Sequence, residues 1–156
     1  MKQKHFLVDY INTADIHAMR LNEALMQVKQ LVPLPILSIS QLSTQQLAFL
    51  DMVTLRFGKL QDIVGVKIMP LILEILAEDA ITFIDKLNKL EKLGYISSSD
   101  WWIELRELRN QIAHDYPNNE KLICANISML VDKSAELLDF WNVLKTKLAN
   151  LVDVRN

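Results

Sequence analysis

Apolar residues recur at intervals of three and four along most of this chain, the spacing that places them on one face of an α-helix. The first such stripe predicts a helix over residues 4–31, ended by the proline-containing segment 32–35. The second stripe predicts a helix over residues 44–67, with Ser43 or Thr44 as its N-cap. Each stripe forms an apolar face that must be buried against other helices.

Turn and cap residues divide the next part of the chain into two further helices. Pro70 is suited to the first turn of a short helix over residues 71–76, because it needs no backbone N–H there. Thr82 and Asp85 have the spacing of a capping box that opens the next helix, and Gly94 is suited to end it.

The last third of the chain predicts two more helices. One covers residues 99–115, and the other follows a cap at Asn118 or Asn119 and carries the apolar stripe 123–151. No strand-like alternation and no internal repeat is present in the sequence. We therefore expect one all-α domain over residues 1–156, folded as a bundle with mostly short loops and antiparallel neighbouring helices.

The amino-acid composition further limits the classes of protein to which this chain can belong. Hydrophobic residues make up 51% of the 156 residues and charged residues 23%, as in an ordinary soluble domain. The single cysteine, Cys124, excludes an intramolecular disulfide and fits a reducing compartment. No signal-peptide pattern and no run of 18 apolar residues occurs, so we expect a cytoplasmic protein without a membrane span. The net charge of −2 means that any polyanion binding must come from a local basic patch.

Several kinds of chemical site are excluded by spacing. The three histidines, His5, His17 and His114, are far apart, and Cys124 has no second cysteine, so we expect no metal site. No Gly-x-Ser-x-Gly sequence is present, and the three glycines are too far apart for a phosphate-binding loop. We therefore expect no cofactor.

The residues that carry chemistry lie at the end of the helix over residues 99–115. Arg109, Asn110, His114 and Tyr116 fall within eight consecutive positions. Asn110 and His114 share a helix side, whereas Arg109 and His114 are five residues apart and would diverge by roughly 140° on an ideal helix. Either the last turn is distorted, which Pro117 favours, or a second copy of the motif completes the site. A third interpretation is a polar helix end with no catalytic role, where His114 is favoured by the helix dipole.

The segment 109–116 resembles the R-x4-H-x-Y motif of the HEPN superfamily, and more narrowly of HEPN toxins paired with a minimal nucleotidyltransferase antitoxin. The segments 56–62, 90–94 and 105–110 also resemble such proteins and occur in the same order. The resemblance implies a HEPN-like, four-to-five-helix up-down bundle that forms a homodimer, with two copies of the motif meeting across a cleft. It further implies a cognate minimal nucleotidyltransferase as partner.

The activity that the resemblance implies is metal-independent RNA cleavage, in which the 2′-hydroxyl attacks the adjacent phosphate and leaves a 2′,3′-cyclic end. His114 suits proton transfer near neutral pH, and Arg109 suits bidentate binding of the phosphate. Asn110 is expected to hydrogen-bond the imidazole or the substrate. Tyr116 matches the tyrosine that partner antitoxins modify with AMP.

Other charged residues have two interpretations each. Arg56, Lys59 and Asp62 recur every three residues on the second helix, so they form a solvated ion-pair face or supply cations to an RNA-binding cleft. Arg106 either extends the phosphate-binding surface, or pairs with Glu104 or Glu107, or faces solvent.

The two tryptophans of the same helix also have alternative roles. Trp101 and Trp102 can stack a base. Trp101 lies on the apolar stripe with Leu105 and Leu108, however, which predicts a place in the core.

We therefore expect an endoribonuclease toxin with Arg109, His114 and Asn110 as catalytic residues and Tyr116 as the modified residue. The first alternative is a non-catalytic HEPN subunit that binds nucleotide or substrate for a separate nucleotidyltransferase. The second is a purely structural dimerisation bundle.

Overall fold

The computed structural model describes residues 2–33, 39–112 and 120–153. Its described residues form an all-helical bundle without strands, which confirms the predicted all-α class. None of the described helices is long and apolar enough to cross a membrane. The helices are α1 (Lys2–Val28), α2 (Thr44–Asp62), α3 (Met69–Ile75), α4 (Phe83–Lys92), α5 (Ser99–Ile112) and α6 (Glu120–Asp153).

α1 packs along α2 and α6, as its predicted apolar stripe requires. It ends three residues earlier than predicted, because a 3₁₀ turn over Lys29–Leu31 leads into the segment that contains Pro33. Asp15 accepts a hydrogen bond from the buried Trp141 indole of α6 at 2.8 Å, which joins the two helices at a polar point within the core.

The segment from α2 to α3 contains a correction to the predicted boundaries. Ser43 forms the full capping box at the start of α2 with Gln46. The helix does not stop before Pro70, as predicted; a π-helical segment over Ile63–Ile68 continues directly into α3. A π segment adds a residue to the turn, and Pro70 follows this segment directly, in the first turn of α3.

The caps predicted for α4 are confirmed. Thr82 and Asp85 form both bonds of a capping box, and Gly94 follows the helix with φ +81°, a conformation that glycine adopts without strain. Ser99, at the start of α5, is buried, and its Oγ lies 3.0 Å from Glu91 Oε2 of α4. This contact fixes the start of the helix that carries the motif.

Trp101 packs against the core as predicted but is only partly buried, and the fully buried tryptophan of the pair is Trp102. Trp101 donates a hydrogen bond from Nε1 to Glu136 of α6 at 3.3 Å. Trp102 lies close to the π segment: a Cβ at Gly65 would lie 3.0 Å from its Cζ2. Glycine leaves room for this close approach, which favours the observed rotation of α5.

Candidate functional site

Arg109 lies in the last described turn of α5 and contacts α2. Its Nη2 donates to Oδ2 of Asp62 at 2.5 Å, and both side chains remain more than one third exposed. The Arg109 side chain crosses α2 at Gly58, where a Cβ would meet its Nε at 3.4 Å. The contact with α2 therefore sets the direction in which the guanidinium leaves the core.

An open groove of about 300 Å³ lies beside this guanidinium, and we call it the Arg109 groove. Lys59 and Asp62 of α2 supply its charged wall, and Leu55 and Ile112 are among the apolar residues that line it. Ile112 is the last described residue before the segment 113–119. The groove therefore lies where the described part of α5 ends.

A second feature lies on the α1 side, where His17 meets Arg56 of α2. The Nη1 of Arg56 lies 2.9 Å from Nδ1 of His17. A guanidinium can only donate, so Nδ1 accepts and the imidazole carries its proton on Nε2. Burial lowers the pKa of His17, and the nearby charges of Arg56 and Lys59 lower it further. His17 is therefore a neutral acceptor at neutral pH.

The groove on this side, the α1 groove, has a volume of about 500 Å³. It shares Lys59, Asp62 and Arg109 with the Arg109 groove and adds Lys67 of the π segment. Tyr10, Thr13 and His17 of α1 line its opposite side. The two grooves thus share one charged wall.

The charges of this wall are unequal. We define the basic cluster as Lys59, Lys67 and Arg109, which line the grooves, together with Arg56, which contacts the groove residue His17. Among the described residues that line the two grooves, Asp62 is the one carboxylate, so the cluster and Asp62 together carry a formal charge of +3. Among the described residues, only Arg109 of the cluster forms an ion pair. A protein of net charge −2 therefore carries a local positive surface, as polyanion binding requires.

The structure brings together two of the residues predicted from the sequence, Arg109 of α5 and Lys59 of α2, which line both grooves. Arg56 lines neither groove and is connected to the α1 groove through His17. Arg106 lies elsewhere: its guanidinium carbon is 4.4 Å from the ring centroid of Phe83 on α4, a cation–π contact. Asn110 is exposed.

The remaining predicted residues, His114 and Tyr116, lie outside the described residues together with Asp115 and Pro117. In the part of the chain that the structure describes, no group of three or more potential metal ligands occurs.

Three residues of these grooves, His17, Lys67 and the Arg109 partner Asp62, are not among the site residues predicted from the sequence. Tyr10, Thr13 and His17 recur at i, i+3 and i+7, so a polar stripe beside the apolar face of α1 was visible in the sequence. The pairing of Asp62 with Arg109 spans 47 residues, and no local pattern encodes such a contact.

Comparison with known proteins adds no relative. No family model matches this chain, and no curated protein and no solved structure matches it.

Proposed function

We propose that this protein is a metal-independent endoribonuclease, the toxin of a HEPN and minimal nucleotidyltransferase pair. The observation that carries the proposal is the position of Arg109, half-exposed in an open groove beside Lys59, five residues before His114 in the sequence. A planar guanidinium in a basic groove is suited to bind a phosphodiester and to stabilise charge that develops on its oxygens.

In the proposed reaction, the 2′-hydroxyl of the RNA loses its proton and attacks the adjacent phosphorus. The bond to the 5′-oxygen of the next nucleotide breaks, that oxygen takes up a proton, and a 2′,3′-cyclic phosphate remains. His114 transfers protons, Arg109 binds the phosphate, and Asn110 orients the imidazole or the substrate. No metal ion or cofactor takes part.

We further propose that the active form is a homodimer. Arg109 and His114 diverge on an ideal helix, so a second copy completes the site. An apolar groove of about 420 Å³, lined by residues that include Leu47, Leu50 and Ile127, adjoins Ile112 and supports this assembly. Light scattering is expected to give twice the chain mass of 18.0 kDa, and a monomer at micromolar concentration contradicts the composite site.

Control of the toxin is proposed to act at Tyr116. Addition of AMP by the nucleotidyltransferase places a phosphodiester near Arg109, where it competes with the RNA backbone. Co-expression with that partner should raise the intact mass by one or more AMP units, and Tyr116→Phe should escape silencing. If Tyr116→Phe is silenced as readily as the parent, tyrosine modification is not the control.

The ribonuclease proposal is tested by expression of the chain alone and by an RNA-cleavage assay in EDTA. The parent should slow host growth and cleave RNA, and Arg109→Ala and His114→Ala should each lose about 10²–10⁴-fold in rate. Lys92→Gln is the matched control, because Lys92 is an exposed residue of α4 outside both grooves. Full activity of His114→Ala contradicts the mechanism.

One observation favours a second candidate, a non-catalytic HEPN subunit that binds nucleotide or substrate for a separate nucleotidyltransferase. The carboxylate of Asp62 already pairs with Arg109, and a partly neutralised guanidinium stabilises a phosphorane less well. This candidate predicts nucleotide or RNA binding without cleavage and no effect on growth.

A further inference from the structure

We propose that Lys59 and Lys67, in the α1 groove, bind RNA backbone phosphates near the one held by Arg109, and that Arg56, which contacts the groove residue His17, binds a further phosphate of the same strand. This inference rests on the proposed ribonuclease function and names the path of its substrate. His17 is assigned as the residue that positions Arg56 within this path.

The continuity of the two grooves supports an extended ligand. Lys59, Asp62 and Arg109 line both the Arg109 groove and the α1 groove, so a chain bound at Arg109 can continue along α1. Lys59 and Lys67 are eight residues apart, about 12 Å along a helix axis, a separation that favours successive phosphates over a single one. Tyr10 lines the same groove and offers an aromatic ring on which a base can stack.

The group that holds Arg56 is a neutral imidazole, that of His17, and not a carboxylate, which supports a role for Arg56 in phosphate binding. A carboxylate would orient the guanidinium and also offset part of its charge, as Asp62 does for Arg109. The neutral His17 ring accepts from Arg56 at 2.9 Å and leaves the full positive charge available to an anion. This arrangement suits a residue that binds a phosphate more than one that only joins two helices.

The exposure of Lys59 and Lys67 agrees with a role of these side chains in phosphate binding. Lys59 and Lys67 are exposed, and within the described ranges neither forms an ion pair. Each phosphate contact on a single strand contributes about 0.7 to the slope of log affinity against log salt, or roughly fivefold in affinity at 0.1 M salt. Loss of one lysine charge should therefore be measurable.

The test is fluorescence anisotropy with a short 2′-O-methyl oligoribonucleotide, which cannot be cleaved by 2′-hydroxyl attack. Lys59→Gln and Lys67→Gln should each weaken binding roughly fivefold at 0.1 M salt and reduce the salt slope by about 0.7. Lys92→Gln on α4 makes the same change of charge outside the grooves and should bind as the parent does. Equal losses for Lys92→Gln and Lys67→Gln, or an unchanged slope for Lys67→Gln, overturn the proposal.

The role of His17 is tested with two substitutions of nearly equal size and shape, asparagine and aspartate. His17→Asn keeps a neutral acceptor for Arg56, whereas His17→Asp introduces a carboxylate that cancels its charge. Asn should retain the parent affinity and salt slope, and Asp should lose about as much as Lys67→Gln. Equal binding by the two variants, with equal thermal stability, contradicts the assignment, because a purely structural acceptor is replaced by either side chain.

A binding assay separates this inference from the proposed catalysis. Cleavage that depends on His114 together with unchanged binding by the lysine variants retains the ribonuclease and refutes the path. If the lysine variants bind more weakly and no cleavage depends on His114, the RNA-binding path is retained and the ribonuclease proposal is refuted. Tripolyphosphate is the probe for a free phosphate compound. If the parent binds tripolyphosphate, and the lysine variants lose affinity for it but not for the oligonucleotide, the groove binds a small anion and the proposed RNA path is wrong.

Discussion

Arg109 and Asp62 form an ion pair of 2.5 Å that joins the last described turn of α5 to α2. Both side chains are more than one third exposed, so the pair contributes at most about 1 kcal/mol to folding. Its larger effect is on ligands, because Asp62 occupies part of the guanidinium edge that a phosphate would use. Asp62 therefore holds Arg109 in position and opposes anion binding.

This relationship predicts the behaviour of Asp62→Asn. The amide removes one negative charge from the wall shared by the two grooves, so RNA affinity should rise several-fold at low salt while the free energy of unfolding changes by about 1 kcal/mol or less. Asp132→Asn, at an exposed position of α6, is the control and should leave affinity unchanged. The same anisotropy assay measures both variants; weaker binding by Asp62→Asn would mean that the position of Arg109 matters more than its charge.

Gly58 of α2 and Gly65 of the π segment give a matched pair of predictions for the free energy of unfolding. Gly65→Ala places a Cβ 3.0 Å from the fully buried Trp102 ring, so overpacking should lower the free energy of unfolding by about 1–3 kcal/mol. Gly58→Ala meets only the half-exposed Arg109 at 3.4 Å, and the gain in helix propensity should make it neutral or stabilising by up to about 1 kcal/mol.

Chemical denaturation measures both glycine variants under one set of conditions. A Gly65→Ala protein as stable as Gly58→Ala would show that the indole can move, and that the close approach does not set the rotation of α5.

The same two glycines illustrate how far the sequence predicts this fold. Periodicity and caps predict the helices well, because Ser43, Thr82 and Gly94 act on their own turns. From the sequence alone, a glycine within a helix indicates only a loss of helix propensity, whereas Gly65 leaves room for Trp102, which lies 37 positions away. No local pattern shows this contact, so the sequence did not indicate that Trp102 is more deeply buried than Trp101.

The residues of the candidate site are likewise only partly predictable from the sequence. The motif segment predicts Arg109, and helical spacing predicts that Arg56 and Lys59 share a side of α2. The contacts with His17 and Asp62 join residues 39 and 47 positions apart, and they depend on how α1 and α5 pack against α2. The roles given to His114 and Tyr116 remain predictions.

The His17 contact predicts a pH dependence of stability. The pKa of His17 is lowered in the folded protein, so the folded state binds fewer protons than the unfolded state below about pH 7. The stability that His17 contributes is therefore complete above the unfolded pKa of 6.5 and is lost as the pH falls below that value.

Between pH 7 and pH 5, the parent should lose more stability than His17→Asn, as measured by urea denaturation at each pH. This window lies above the titration of Glu136: burial raises its pKa, but hydrogen bonds from Lys133 and Trp101 outweigh burial, and the pKa is lowered from 4.5. An identical slope for the parent and His17→Asn would contradict the lowered pKa.

Attack of the RNA's own 2′-hydroxyl, without a metal ion, is tested on two versions of one cleaved RNA in EDTA. One version carries a single 2′-deoxynucleotide at the cleaved position, and the other carries it at a neighbouring position. We expect that only the second is cut, that the cut leaves a 2′,3′-cyclic phosphate, and that His114→Ala cuts neither. Equal cleavage of the two substrates, or cleavage that requires a divalent ion, would show that the protein does not use this reaction.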